Sequence, residues 1–309
     1  MTQYKPRVIT RKEAKKQVNR FGISLVIYIF LNLLLWYGIG FLRNRYAGFF
    51  GNFDPDLIIM VFFIVLNLLA GYVFFRFSAA ALDLNIKDYL RKPKISPQRM
   101  VMLIACGIAV TYLFTALGSF FRFLLLPASN QFEFVGHFTT RLNIIKNIVY
   151  FILFVLIKPW VEEYAFRGVI QRQLGHYNRY FGVLASSFLY ALAQPSLTDA
   201  VLAFFSGWYL ALITYRYHSI IPARRIHMAV ALFTWFIAVL PDRFVIIPTV
   251  LIAAAYLIAG YTLIGQKIDF HITRSGAMNP KLWKTVLTSF TVIISILLFI
   301  TGCVLSFII

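Results

Sequence analysis

Five stretches of this chain contain no Asp, Glu, Lys or Arg: residues 21–42, 57–75, 100–121, 244–266 and 285–309. They run for 22, 19, 22, 23 and 25 residues, and about 20 apolar residues are enough for a helix to cross the hydrocarbon of a bilayer. Four shorter or interrupted runs, at about 145–165, 180–195, 200–215 and 226–241, bring the expected count to nine crossings. The predicted fold is therefore all-α, a polytopic transmembrane helix bundle. Composition agrees: 60% of residues are hydrophobic and 13% charged, where soluble domains carry about a quarter charged. Thirty-two Phe and seventeen Tyr suit lipid-facing surfaces and interfacial belts.

The formal net charge of +19 raises the question of nucleic acid, but the distribution of the charge answers it. With nine crossings and a cytoplasmic N-terminus, 24 of the 30 Lys and Arg fall inside and 6 outside. That asymmetry is a topology signal. It points to anionic membrane lipids as partners, and nucleic acid is not expected. The basic N-terminus followed by an apolar run is similar to a secretory leader. The run is too long and lacks a small-residue cleavage site, so it reads as a retained first helix.

Four regions follow from this pattern. Residues 1–20 are a basic cytoplasmic tail. Residues 21–144 hold helices 1–3 and an amphipathic surface segment at 122–146. Residues 145–241 form a polar core, and residues 242–309 the C-terminal helices, with an inside loop at 267–284. Only the core carries several ionisable or amide groups at membrane depth: Glu162, Glu163, Arg167, Gln194, Asp199, His218 and His227. Such groups are costly in lipid and mark function or a helix brace.

Taken as helical, Glu163 and Arg167 are four apart and share a face, acid before base. Glu162 points about 100° away from Glu163, outside that pair. One braced carboxylate beside a free one suits the activation of water, and equally suits a plain brace between helices. His227 lies near a helix end, where a histidine is commonly a hydrogen-bonded interfacial group. Gln194 closes an apolar run before Pro195 and would satisfy free helix-end carbonyls. The five histidines, His137, His176, His218, His227 and His271, show no metal spacing, and no H-E-x-x-H occurs. Cys106 and Cys303 stand alone within predicted spans and read as small buried residues. No Ser or Cys stands beside a base, and no cofactor or metal is expected. A transporter would show matching broken helices in two halves, and none is evident.

The run Lys158-Pro159-Trp160-Val161-Glu162-Glu163-Tyr164-Ala165-Phe166-Arg167-Gly168 resembles the first signature of the CAAX-protease and bacteriocin-processing family. Ala185 to Gln194 is similar to its second signature, an aromatic residue four before a histidine. Ser219 to His227 is similar to the third, with an asparagine due four residues later. The resemblance covers about 75 residues. It implies a multi-helix intramembrane glutamate endopeptidase, and the expected location is a cell membrane, a bacterial plasma membrane. Glu162 would be the base, Glu163 and Arg167 its support, and His227 the oxyanion donor.

Two positions depart from that pattern: Gln194 replaces the second-signature histidine and Ala231 the asparagine. An amide cannot exchange a proton near neutral pH, and alanine donates nothing. Loss of one oxyanion donor costs about 10²–10³ in rate, and loss of an acid/base partner about 10²–10⁴ more. Two expectations result. One is a weakened or non-catalytic relative, a pseudoenzyme that binds a membrane protein or peptide in a regulatory or immunity role. The other is an active endopeptidase acting on a lipid-modified or leader-bearing peptide.

Overall fold

The computed structural model describes residues 10–38, 55–125, 137–264 and 280–308. The tail 1–9, the end of the first expected crossing, residues 126–136 of the 122–146 surface segment, most of the 267–284 loop, and His271 lie outside the described residues.

Every regular element among the described residues is helical. Helix α1 (Arg11–Leu33) is capped by Thr10, whose hydroxyl accepts from the Glu13 amide, and it runs on through a π turn, Leu34–Gly38. Then come α2 (Pro55–Ala81), a 3₁₀ turn (Ile86–Leu90) and α3 (Pro97–Leu125). Helix α4 is a single 35-residue rod, Arg141–Gly175. It is followed by α5 (Arg179–Leu192), α6 (Leu197–Tyr217), α7 (Ile220–Val239), α8 (Ile246–Ile264), α9 (Pro280–Leu287) and α10 (Phe290–Ile308).

Six of these helices are long and apolar enough to cross a membrane: α2, α3, α4, α6, α7 and α8. A seventh span results if α9 and α10, which meet at a 65° bend, count as one. Phe62, Phe77, Leu257 and Ile264 are more than 60% exposed. In water such surfaces would aggregate, and in lipid they are the expected outer face.

The expected crossing at 180–195 is different. Helix α5 has 14 residues, or about 21 Å of rise, short of the roughly 30 Å of hydrocarbon. Phe181, Val183, Ala185, Ser187 and Leu189 on it are all buried, so it is lined by protein rather than lipid. The run 285–309 also differs, because it breaks between α9 and α10. There Thr288 and Ser289 donate to the carbonyls of Lys284 and Thr285, a local bonding that bends helices.

Two apolar clusters organise the bundle. The larger joins α1, α2, α4, α5 and α10 through Phe21, Leu25, Tyr28, Phe75, Phe166 and Val292. The second joins α3, α6, α7 and α8 through Leu103, Tyr209, Ile213 and Ile226. Helix α4 belongs to the first cluster and α7 to the second, and the polar residues lie between them.

Candidate active site

Helix α4 alternates α and π geometry: a π segment at Phe151–Ile157, an α turn at Lys158–Glu162, and a π segment at Glu163–Gln171. Short π segments inside α-helices are frequent at functional sites. Pro159 contributes to the first break, since it donates no amide to the helix. All nine residues of Glu163–Gln171 are buried.

The Glu163–Arg167 pair forms as the spacing requires, with Arg167 Nε 3.3 Å from Glu163 Oε2 and both side chains fully buried. Arg167 also donates to the Gly207 carbonyl on α6 at 3.0 Å. Its guanidinium lies 4.8 Å from the centre of the Tyr190 ring. Glu163 Oε1 turns the other way, 2.9 Å from His227 Nδ1 on α7. The brace thus links α4, α5, α6 and α7.

Glu162 does lie outside that pair, but it is not free. Tyr28 of α1 donates to its Oε1 at 2.9 Å, and Tyr190 of α5 donates to its Oε2 at 3.0 Å. Lys158 Nζ is 3.2 Å from Oε1, and His227 Nε2 is 3.8 Å from Oε2. The residue is 1% exposed. A carboxylate held by two phenols and an ammonium is strongly satisfied for a buried charge.

A cavity of 410 Å³ opens beside this cluster. Lys158, Tyr190, Gln194, His227 and Ala231 stand in its wall, so the three signature segments converge on one space. Glu162 and Glu163 lie behind the wall. Gln194 donates back to the Tyr190 carbonyl at 3.3 Å, the helix-end role its position suggests. The next carbonyls are met from α1 and the π turn that continues it. Asn32 donates to the Ala193 carbonyl at 3.1 Å and Tyr37 to the Pro195 carbonyl at 3.0 Å.

Three residues of the site were not singled out from sequence. Lys158 had a usable signal, being four before Glu162. Tyr190 is the aromatic residue four before Gln194. Tyr28 carries no sequence signal, since its partner is 134 residues away. Arg224 is a fourth neighbour. Its guanidinium lies 5.0 Å from the Trp160 ring centre, and its Nε and one terminal nitrogen have no hydrogen-bond partner among the described residues.

Fold and site together define a multi-helix membrane protein built around a buried Glu-Glu-x-x-x-Arg cluster. Residues 144–233 match the family model for the type II CAAX prenyl endopeptidase Rce1-like proteins, and the chain carries a domain of that family over this range. No curated protein and no solved structure matches the chain.

Proposed function

We propose that this chain is a hydrolytically weakened or inactive Rce1-like membrane protein, and that it acts by binding a membrane protein or peptide in the 410 Å³ cavity. Residues 145–241 are its working core, and the charge asymmetry favours a cytoplasmic N-terminus in a bacterial plasma membrane. One observation carries this reading. Both oxygens of Glu162 already accept from tyrosines, and the side chain is 1% exposed. A general base must be within hydrogen-bond reach of the water it activates. Gln194 and Ala231, where the family resemblance calls for His and Asn, stand in the cavity wall and support the same reading.

The test separates binding from chemistry. The cavity-filling variant Ala231→Trp is expected to abolish recovery of a cross-linked membrane partner, while Glu162→Gln leaves it intact. Glu162-dependent cleavage of a peptide by the purified protein, at a rate that restoring Gln194→His and Ala231→Asn does not raise, would overturn the proposal.

The alternative is an active endopeptidase on a prenylated or leader-bearing peptide. Its own support is His227, which stands in the cavity wall and approaches both carboxylates, at 2.9 Å from Glu163 and 3.8 Å from Glu162. That same cleavage experiment decides for it.

A further inference from the structure

A second, smaller cavity of 240 Å³ lies where α4 and α6 end together. Its wall holds Tyr89, Arg172, His176, Arg179, Tyr215 and His218, with Gln171 and Gly175 completing it. Four of these eight residues are basic, and none is acidic. They come from separate places in the chain: the 3₁₀ turn, the end of α4 with the start of α5, and the end of α6.

We propose that this cavity binds a phosphate anion, esterified or free. In the bilayer the source is the headgroup of an anionic phospholipid, and soluble phosphate is the other source of the same chemistry.

The arginine at the centre is pre-positioned. Arg172 stacks 4.5 Å from the centre of the Tyr89 ring and donates one nitrogen to the Asn85 carbonyl. A guanidinium has five N–H donors in a rigid plane, so one such bond leaves donors for a ligand. The carboxylate next along that turn, Asp88, is occupied by Asn85 at 3.0 Å and Arg91 at 3.4 Å. Burial pushes the Tyr89 phenol up, although Arg172 and Arg179 pull it the other way, so the phenol keeps its proton and remains a donor. His218 closes α6 with a left-handed backbone at φ 47°. A non-glycine residue holds that conformation only where its surroundings fix it. Its ring faces Tyr215 at 6.1 Å between centres.

Depth and size narrow the ligand. Helices α4 and α6 both qualify as spans by length and composition, and the cavity lies at their shared C-terminal end, where a span would leave the hydrocarbon. Basic pockets between transmembrane helices at that level are suited to phospholipid headgroups. The volume is below the range of about 300–1,000 Å³ usual for drug-sized ligands and suits a phosphate group better than a larger organic molecule.

The full-length protein is reconstituted in nanodiscs of phosphatidylcholine with a minor fraction of phosphatidylglycerol. Lipid retained after re-extraction is counted by native mass spectrometry. A parallel arm measures binding of radiolabelled inorganic phosphate by equilibrium dialysis. Retention of phosphatidylglycerol over phosphatidylcholine is expected, weakened about fivefold by Arg172→Gln and by Arg179→Gln. Arg225→Gln, an exposed arginine outside the wall, removes the same charge and is expected to change nothing. Arg179 is itself exposed, so its variant keeps the test valid if Arg172→Gln fails to fold. Saturable phosphate binding that needs Arg179, without lipid preference, supports the site and assigns the soluble source. Absence of both signals, or equal loss in Arg225→Gln, overturns the proposal.

Discussion

Lys158 Nζ lies 3.2 Å from Glu162 Oε1, one helical turn apart, with the glutamate side chain 1% and the lysine side chain 28% exposed. The adjoining Glu163–Arg167 pair repeats the four-residue spacing with the order of charges reversed. Two acids are therefore matched by two fixed cations within ten residues. Four unmatched charges at this depth would be prohibitive, and as two pairs they are tolerable. The arrangement accounts for how a membrane helix retains Glu-Glu at all, whether or not it hydrolyses anything.

Breaking one pair should therefore cost more than removing both of its members. Lys158→Met leaves Glu162 buried with only phenols as donors, and a loss of about 3–5 kcal/mol is expected for an orphaned buried charge. The double variant Lys158→Met with Glu162→Gln should recover part of it, with an interaction energy of about 0.5–3 kcal/mol. Thermal unfolding of the purified protein in detergent, as a double-mutant cycle, measures this. Strict additivity would mean that the two residues do not interact.

The sequence made part of this site legible and hid the rest for a physical reason. A four-residue spacing is local, so Glu163–Arg167 could be read directly, and Lys158–Glu162 was open to the same reading. Tyr28 and Tyr190 reach Glu162 across helix interfaces, and no local pattern encodes those contacts. The apolar runs located α2, α3 and α8 because hydropathy needs only composition and length. They misread α5, because an apolar helix buried by its neighbours and one facing lipid have the same composition. The deciding quantities are its 14-residue length and what surrounds it.

The two tyrosines on Glu162 should differ in what they report. Tyr28→Phe and Tyr190→Phe each remove a hydrogen bond to an ionised group, worth about 1.5–3 kcal/mol. Tyr190 also stands in the cavity wall and under the Arg167 guanidinium. Tyr190→Phe should therefore lower stability and also alter partner binding. Tyr28→Phe, outside the cavity wall, should lower stability alone. Unfolding and binding measured on both variants check the split. Equal binding defects in the two would contradict it.

Gly207 tests how closely α6 must approach the brace. A Cβ there would lie 2.8 Å from Tyr190 Cδ1 and 3.2 Å from a terminal nitrogen of Arg167. Gly207→Ala must push both side chains aside and disturb the Arg167 bond to the Gly207 carbonyl. Overpacking of this kind typically costs about 1–3 kcal/mol. By contrast Gly260→Ala, where the added carbon meets no atom of another described element within 4 Å, should be nearly neutral. Melting temperatures of the two variants give the comparison directly.

Restoring the missing chemistry is the strongest test of the weakened reading. Gln194 and Ala231 both stand in the wall of the cavity, so a side chain introduced at either position enters the space where a substrate would lie. Gln194→His supplies a proton-exchanging group, worth about 10²–10⁴ in rate where it is well placed. Ala231→Asn supplies a donor to a developing oxyanion, worth about 10²–10³. The double variant, with Tyr190→Phe added to release Glu162 Oε2, should cleave a prenylated CAAX or leader-bearing peptide at a rate well above the parent chain, and Glu162→Gln should abolish the gain. Groups that act as a unit are not additive, so either single variant should recover far less than half of the logarithmic increase. The readout is peptide cleavage by purified protein, with unfolding temperature as the control for folding. A parent chain that already cleaves through Glu162, at a rate the double variant does not raise, would show that Gln194 and Ala231 are no handicap and would transfer the site to the active-protease reading.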